Sequence, residues 1–88
     1  MNITVAGCFT EEHKYSPKSD IPGEPKSIAY SIEECQSRCA GVAGCYFFTW
    51  SDDYDKCHLT GDPSAVLVST LPKYPKTVAG PKRCPGEK

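Results

Sequence analysis

The chain has 88 residues, six of which are cysteines, and a formal net charge of −1. A chain of this length buries only about 60% of the surface that it exposes when unfolded, so it can form one domain with a small apolar core. The balanced charge argues against a nucleic-acid partner, because binding to phosphates requires a strong positive excess. The sequence also lacks an apolar run long enough to span a bilayer, so we expect no direct membrane insertion.

The cysteine content indicates the compartment. An even number of cysteines at this density predicts a framework of disulfides that replaces the missing core. Because such bonds persist in an oxidising environment, the protein is expected to be secreted or extracellular. The sequence shows no secretory signal. We therefore interpret Met1 as an added start codon, and residues 1–88 as a single module excised from a longer, multi-module secreted protein.

The first third of the chain contains few regular patterns. Residues Ile3 to Thr10 have the composition of a strand. The segment from Tyr15 to Ser27 contains three prolines and a glycine, and it is predicted to be a long irregular loop.

One helix is predicted from Ile32 to Ala40. Ser31 and Glu34 form an S-x-x-E capping box, in which the serine oxygen accepts a backbone N–H and the glutamate reaches back. Gly41 is available to end the helix. Local signals therefore mark both ends of this element.

The second half of the chain is predicted to form antiparallel strands. Cys45 to Ser51 is rich in aromatic residues and apolar on both faces, which is typical of a central strand covered on both sides. A polar turn separates it from Lys56 to Thr60, which completes a hairpin. Further strands are predicted at Ala65 to Leu71 and at Thr77 to Cys84. One helix among several antiparallel strands defines an α+β domain. The expected core residues besides the disulfides are Ile32, Phe48, Trp50 and Leu59.

Geometry narrows the pairing of the cysteines. Cys35 and Cys39 lie one helical turn apart with parallel side chains, so each should bridge to a different element. The two glycines between Cys39 and Cys45 permit a tight return that joins this pair. Cys35 can then reach Cys57 on the hairpin, which leaves one pair at the ends of the domain. The predicted disulfides are Cys8 with Cys84, Cys35 with Cys57, and Cys39 with Cys45.

Several motifs together resemble the PAN/apple domain family. They are a first Cys8 in a strand, a capped helix with Cys35-x-x-x-Cys39, the strand Cys45-Tyr46-Phe47-Phe48-Thr49-Trp50, Lys56-Cys57-His58-Leu59, and Gly80-Pro81-Lys82-Arg83-Cys84. The resemblance covers nearly the whole chain, with a core from residue 8 to residue 84. It implies a small disulfide-rich domain in which a curved antiparallel β-sheet cradles one α-helix, with nested bridges that agree with the pairing above.

Within this family the chain is most similar to the apple domains of apicomplexan micronemal proteins. These are secreted adhesins that carry several such modules in series. The resemblance therefore implies a microneme location, a repeated module, and neighbouring modules of the same chain as partners.

We expect no catalytic residues, cofactor or metal site. Cys57 would be bridged and so has no thiolate, and the adjacent His58 would point to the opposite face of its strand. The cysteine spacing does not match a zinc site. Asp52, Asp53 and Asp55 lack the glycine and terminal glutamate of a calcium loop, so they are interpreted as a solvated turn.

Since neither catalysis nor metal binding is expected, we expect the chain to function by binding a partner. The favoured hypothesis is protein–protein adhesion to a host-cell surface by a parasite, and the alternative is a lectin that recognises a cell-surface glycan. No ligand-binding residue can be assigned from the sequence. Five aromatic residues are candidates for an exposed ligand-binding ring: Phe9, Tyr15, Tyr30, Tyr54 and Tyr74. For three of them, Phe9, Tyr30 and Tyr74, the favoured interpretation is that they complete the core instead. A basic segment after Pro63 offers possible contacts to an acidic glycan through Lys73, Lys76, Lys82 and Arg83.

Overall fold

The computed structural model describes residues 8–24 and 26–84. Its elements in chain order are β1 (Thr10–Glu11), β2 (His13–Ser16), β3 (Ser27–Ile28), α1 (Ile32–Ala40), β4 (Phe47–Ser51), β5 (Lys56–Thr60), β6 (Val66–Ser69) and β7 (Thr77–Pro81). Five strands form an antiparallel sheet in the order β1-β7-β4-β5-β3, and β2 pairs with β6 in a separate two-stranded sheet. Helix α1 packs on one face of the larger sheet, and β2 packs against β4 and β7. The predicted α+β class is confirmed.

Helix α1 begins and ends where the sequence predicts. Ser31 has extended backbone angles, and its Oγ accepts the N–H of Glu34 at 3.1 Å. The Glu34 carboxylate reaches back one residue further than a standard capping box, because it accepts the N–H of Tyr30 at 2.8 Å. At the other end, the Gly41 N–H donates to carbonyl oxygens of the last turn. Both termini therefore have partners for backbone groups that the helix leaves unpaired.

The core lies between α1 and the sheet. Phe48 and Trp50 alternate along β4 and are buried, as is Leu59 on the neighbouring strand β5. Ile32, which was predicted to belong to the core, is partly buried at its edge. Small residues and cystines complete a core whose volume is limited by the length of the chain.

Three disulfides link the helix, the sheet and the ends of the domain. Cys35 and Cys39 of α1 bond to Cys57 and Cys45, respectively, and all four are fully buried. The third bond joins Cys8 to Cys84, 76 residues apart. No described cysteine is free.

The opposite face of the sheet is covered only in part. Phe47 and Thr49 point away from the helix, and Tyr15 of β2 lies over them. The Tyr15 ring stacks on Phe47 at a centroid distance of 4.1 Å, and its backbone N–H donates to Thr49 Oγ1 at 3.3 Å. Strand β4 is thus a central strand with neighbours on both faces, as predicted.

The first third of the chain is more regular than the sequence predicts. The predicted strand from Ile3 to Thr10 is confirmed at Thr10, where β1 begins, and is wrong at Cys8 and Phe9, which precede it. Residues 3–7 lie outside the described part. The predicted loop from Tyr15 to Ser27 instead contains the end of β2 and the start of β3. These short strands are held by pairing with β6 and β5, which lie far along the chain.

Three other strands are shorter than predicted. Strand β4 begins at Phe47 because the Cys45 N–H donates to Val42 O in the turn closed by the Cys39–Cys45 bond. Strands β6 and β7 end at Ser69 and Pro81, two and three residues before their predicted ends. Pro72 lies just beyond β6 and has no N–H with which to extend a ladder.

Candidate ligand-binding pocket

The uncovered part of the outer sheet face forms the floor of a pocket. Register places Thr49 opposite His58, and Ser51 opposite both Lys56 and Thr77. Alternation along the strands directs these five side chains away from the helix, because neighbouring residues point to opposite faces. These polar residues lie on one face of strands whose other face is apolar. They therefore form a hydrophilic surface at the centre of the domain.

Strand β2 and three connecting segments build the walls around this floor. The cavity, which we call the sheet-face pocket, has a volume of about 410 Å³ and opens to solvent. Its size lies in the range typical of small-molecule sites. Its lining residues are Lys14, Tyr15, Lys18, Lys26, Thr49, Ser51, Tyr54, Lys56, His58, Thr70, Tyr74 and Thr77.

The charge of the pocket is strongly positive. Four of the eight lysines in the chain line it, and none of its described lining residues is an aspartate or a glutamate. These lysines are Lys14, Lys18, Lys26 and Lys56. The formal net charge of the whole chain is only −1, so the pocket concentrates positive charge that the total conceals. Such a concentration raises the local concentration of anions.

A histidine–carboxylate pair lies at the edge of the pocket. His58 Nε2 lies 2.6 Å from Asp20 Oδ1; the histidine side chain is 14% exposed and the aspartate 78%. The hydrogen bond from His58 and its charge lower the pKa of Asp20 below the usual 3.8, and Lys18 and Lys26 contribute in the same direction. The carboxylate of Asp20 therefore stays ionised beside the cationic wall.

Two structural features limit the chemistry of this pair. No described serine, threonine or cysteine side chain hydrogen-bonds to His58, so the pair has no nucleophile to activate. Cys57, its neighbour in sequence, faces the core and is bonded to Cys35. His13, the other histidine, uses Nδ1 to contact Glu11 O at 2.9 Å.

The tyrosines supply flat surfaces with hydroxyl groups. Tyr54 is 62% exposed and Tyr74 is 44% exposed, and both line the pocket. Tyr15 lies deeper, and its burial raises the pKa of the phenol above 10.0, so the hydroxyl remains neutral and can donate a hydrogen bond. Rings of this kind present an apolar face together with a polar edge.

Two predicted core assignments of aromatic residues are wrong. Tyr30 is 74% exposed, because Ala29 occupies the core position beside Trp50 and the tyrosine lies just outside. Tyr74 lines the pocket instead of the core. Phe9 is partly buried and packs edge-on against Phe48, as expected.

The basic residues Lys73, Lys76, Lys82 and Arg83 of the segment after Pro63 do not line the pocket, although Thr70, Tyr74 and Thr77 of the same segment do. Lys73 and Lys82 lie over tyrosine rings, each at 5.7 Å from the centroid, and Lys76 Nζ is 4.0 Å from Asp53 Oδ1. The lysines of the pocket come from earlier in the chain: Lys18 and Lys26 lie in the predicted loop, and Lys56 begins the predicted second strand of the hairpin. The sequence contained one usable signal: Thr49, Ser51, Lys56 and His58 alternate with the apolar residues Phe48, Trp50, Cys57 and Leu59 along the two strands of the hairpin.

The described residues contain neither a cluster of metal-binding side chains nor a helix that could span a membrane. Within residues 8–24 and 26–84, no group of three or more His, Cys, Asp or Glu side chains could hold a metal ion. Across these ranges, no helix is long and apolar enough to cross a bilayer.

The fold and pocket define a small, disulfide-bonded α+β domain of the binding-module class. A family model described as the PAN domain matches residues 8–84. The chain belongs to the PAN domain family, whose members are modules of adhesion and protein–protein interaction.

One solved structure supports this assignment. The solution structure of a PAN module from Eimeria tenella, an apicomplexan, is similar with a TM-score of 0.63 and 28% sequence identity. The match covers 100% of this chain and 92% of the other. No curated protein matches the chain. The similarity to an apicomplexan PAN module is the one that the sequence motifs imply.

Proposed function

We propose that the chain is a non-catalytic, extracellular adhesion module that binds part of a cell-surface ligand in the sheet-face pocket. The observation that supports this proposal most strongly is the composition of the pocket. Three tyrosines, three threonines and one serine line a cavity of about 410 Å³. Rings and hydroxyl groups of this kind fix the orientation of a small polar ligand.

The pocket supports a glycan better than a protein as the ligand. A protein partner requires about 800 Å² of surface per side, and its binding energy is concentrated on anchors that are most often Trp, Tyr or Arg. The described lining contains no tryptophan or arginine, and its three tyrosines lie among hydroxyl and ammonium groups. A sugar, in contrast, matches hydroxyl groups for hydrogen bonds and tyrosine rings for its apolar face. Protein–protein adhesion, the hypothesis that the sequence favours, then belongs to surfaces outside the pocket.

The biological setting is the second part of the proposal. The similarity to an Eimeria tenella PAN module supports a role in an apicomplexan parasite, at the attachment to or invasion of a host cell, with storage in micronemes. The Cα atoms of Cys8 and Cys84 lie 5.5 Å apart, so the two ends of the domain leave it side by side. This arrangement suits a module repeated along one secreted chain.

The test compares two tyrosine variants of similar exposure. Tyr54 lines the pocket and is 62% exposed, whereas Tyr30 does not line it and is 74% exposed. The purified domain, multimerised on streptavidin, is screened on a glycan array and on host cells. We expect Tyr54→Ala to reduce binding and Tyr30→Ala to leave it unchanged.

Other outcomes contradict the proposal. Equal binding by both variants and the parent domain would mean that the ligand does not use the pocket. Capture of a protein from host-cell surface extract that survives removal of glycans would support the protein alternative.

A further inference from the structure

We infer that the ligand of the sheet-face pocket is an acidic saccharide, a sugar that carries a carboxylate or a sulfate group, and that Lys18, Lys26 and Lys56 bind the acidic group. This inference rests on the proposed function, because it specifies the ligand of the same pocket. It also changes which lysines matter, since none of these three belongs to the basic segment after Pro63.

The first support is that the lysines of the pocket form no salt bridge within the described protein. Salt bridges in residues 8–24 and 26–84 involve Arg38, His58 and Lys76, and none involves a pocket lysine. Four ammonium groups around one cavity repel each other, and each is stabilised by an opposite charge. An anionic ligand supplies the negative charge that the pocket itself lacks.

The second support is that the positive charge at the edge of the pocket already contributes to stabilising one carboxylate of the protein, that of Asp20. Asp20 is largely exposed, yet it contacts His58 and has a lowered pKa to which Lys18 and Lys26 contribute. The edge of the pocket therefore stabilises the ionised form of a carboxyl group. The hydrogen bond from His58 is the largest cause of this shift, and a ligand carboxylate or sulfate among the same lysines gains the smaller stabilisation that their charges provide.

The third support concerns the rest of the ligand. The hydroxyl groups of Thr49, Ser51, Thr70 and Thr77 can donate and accept hydrogen bonds, which matches the hydroxyl groups of a sugar. Tyr54 and Tyr74 present exposed ring faces at the same cavity. An acidic peptide would place its carboxylates among the lysines equally well, but it would leave these hydroxyl groups and rings without matching partners.

The decisive experiment compares neutral sugars with counterparts that carry an acidic group. Lactose, 3′-sialyllactose and 3′-sulfolactose are titrated into the ¹⁵N-labelled domain, and glucose and glucuronic acid form a second matched pair. We expect at least one acidic sugar to bind about tenfold more tightly than its neutral counterpart. Amide shifts should centre on Ser51, His58 and their neighbours. The sialyl and sulfo arms separate a carboxylate from a sulfate.

Two triple variants remove the same charge from different places. The first variant, Lys18→Gln/Lys26→Gln/Lys56→Gln, removes three charges from the wall of the pocket. The second variant, Lys73→Gln/Lys76→Gln/Lys82→Gln, removes three charges outside it. We expect the first variant to lose the preference for the acidic sugar, and the second to retain it. Asp20→Asn should tighten binding, because it removes a carboxylate that competes for the same lysines. Raising the salt concentration should weaken binding of the acidic sugar alone.

Three results would overturn the inference. Equal affinity for neutral and acidic sugars, with shifts in the pocket, would leave the adhesion proposal standing but remove the acidic group. Equal loss in both triple variants would indicate a general charge effect and no specific site. Tighter binding of a poly-glutamate peptide than of any acidic sugar would assign the pocket to an acidic protein segment.

Discussion

The indole Nε1 of Trp50 donates a hydrogen bond of 2.7 Å to the carbonyl oxygen of Ala29, inside the core. The bond ties the segment before α1 to the central strand. It also explains why a large residue is tolerated in so small an interior, since its one polar atom has a partner.

Removing this side chain should cost a large part of the stability. Trp50→Ala should lower the free energy of unfolding by about 3 to 5 kcal/mol, because it leaves a cavity and an unpaired carbonyl. Trp50→Phe keeps an aromatic ring and should cost less. Urea denaturation with the disulfides intact measures both. A loss below about 1 kcal/mol for the alanine variant would contradict the assignment of Trp50 to the core.

The close approach of Gly80 to two rings makes a second prediction. A Cβ at this position would lie 3.0 Å from Phe9 Cδ1 and 3.1 Å from Phe48 Cε1. Gly80→Ala should therefore destabilise the domain by about 1 to 3 kcal/mol through overpacking. Gly41→Ala is the matched control, since its Cβ would meet only an ordinary contact at 3.6 Å. Thermal unfolding of the two variants should separate them clearly.

The disulfide pairing is tested by peptide mapping without reduction. We expect peptides that join Cys8 to Cys84, Cys35 to Cys57, and Cys39 to Cys45. A peptide that joins Cys35 to Cys39, or a free thiol in the native protein, would refute this pairing.

A double variant tests the contribution of the longest bridge. Cys8→Ser/Cys84→Ser opens a loop of 76 residues. In the chain-entropy model this should reduce stability by about 4 kcal/mol, measured by chemical denaturation. An unchanged denaturation midpoint would mean that the bond does not constrain the unfolded chain.

Asp20 predicts a dependence of stability on pH. The pKa of Asp20 is lowered in the folded state, chiefly by the hydrogen bond from His58. A carboxyl group whose pKa is lowered on folding stabilises the folded state at pH values above its unfolded-state pKa, near 3.8. This stabilisation is lost as the pH falls through the folded-state pKa. Asp20→Asn should therefore lower the melting temperature at pH 5, and the difference should shrink as the pH falls below 3.8. Asp52→Asn is the control, because Asp52 forms no salt bridge with a described residue. A difference that persists unchanged at low pH would contradict this account.

Repetition of the module should strengthen adhesion. Two linked modules raise the effective concentration at the second site, so avidity should increase by roughly 10² to 10⁴ without new contacts. Binding of a single module to host cells is compared with that of a tandem protein joined outside Cys8 and Cys84. Equal affinity of the two proteins would show that the modules do not act together.

The helix could be predicted from the sequence because its signals are local. Ser31 and Glu34 act within one turn of the residues that they cap, and Gly41 is the next residue after the last turn. The same holds for β5, which follows a polar turn and has the predicted ends. The partly covered outer face of β4 was also predictable, since Phe47 is an apolar residue on the face opposite Phe48 and Trp50.

The pocket could not be predicted, because its residues meet only in three dimensions. Lys14, Lys18 and Lys26 belong to a proline-containing segment whose position depends on pairing with β6 and on the stacking of Tyr15 over Phe47. Nothing within a few residues of each lysine indicates that contact. The distribution of lysines along the chain therefore indicated a basic segment after Pro63, whereas in the folded protein four lysines surround the sheet-face pocket.

The Cys8–Cys84 bond also determines how the domain carries mechanical load. In an adhesin chain under tension, a pull applied before Cys8 and after Cys84 passes through this covalent link. The hydrogen bonds of the sheet, and the pocket built on it, then lie outside the path of the force. A module that lies between a bound module and the anchor of the chain can therefore transmit the load without unfolding its own sheet.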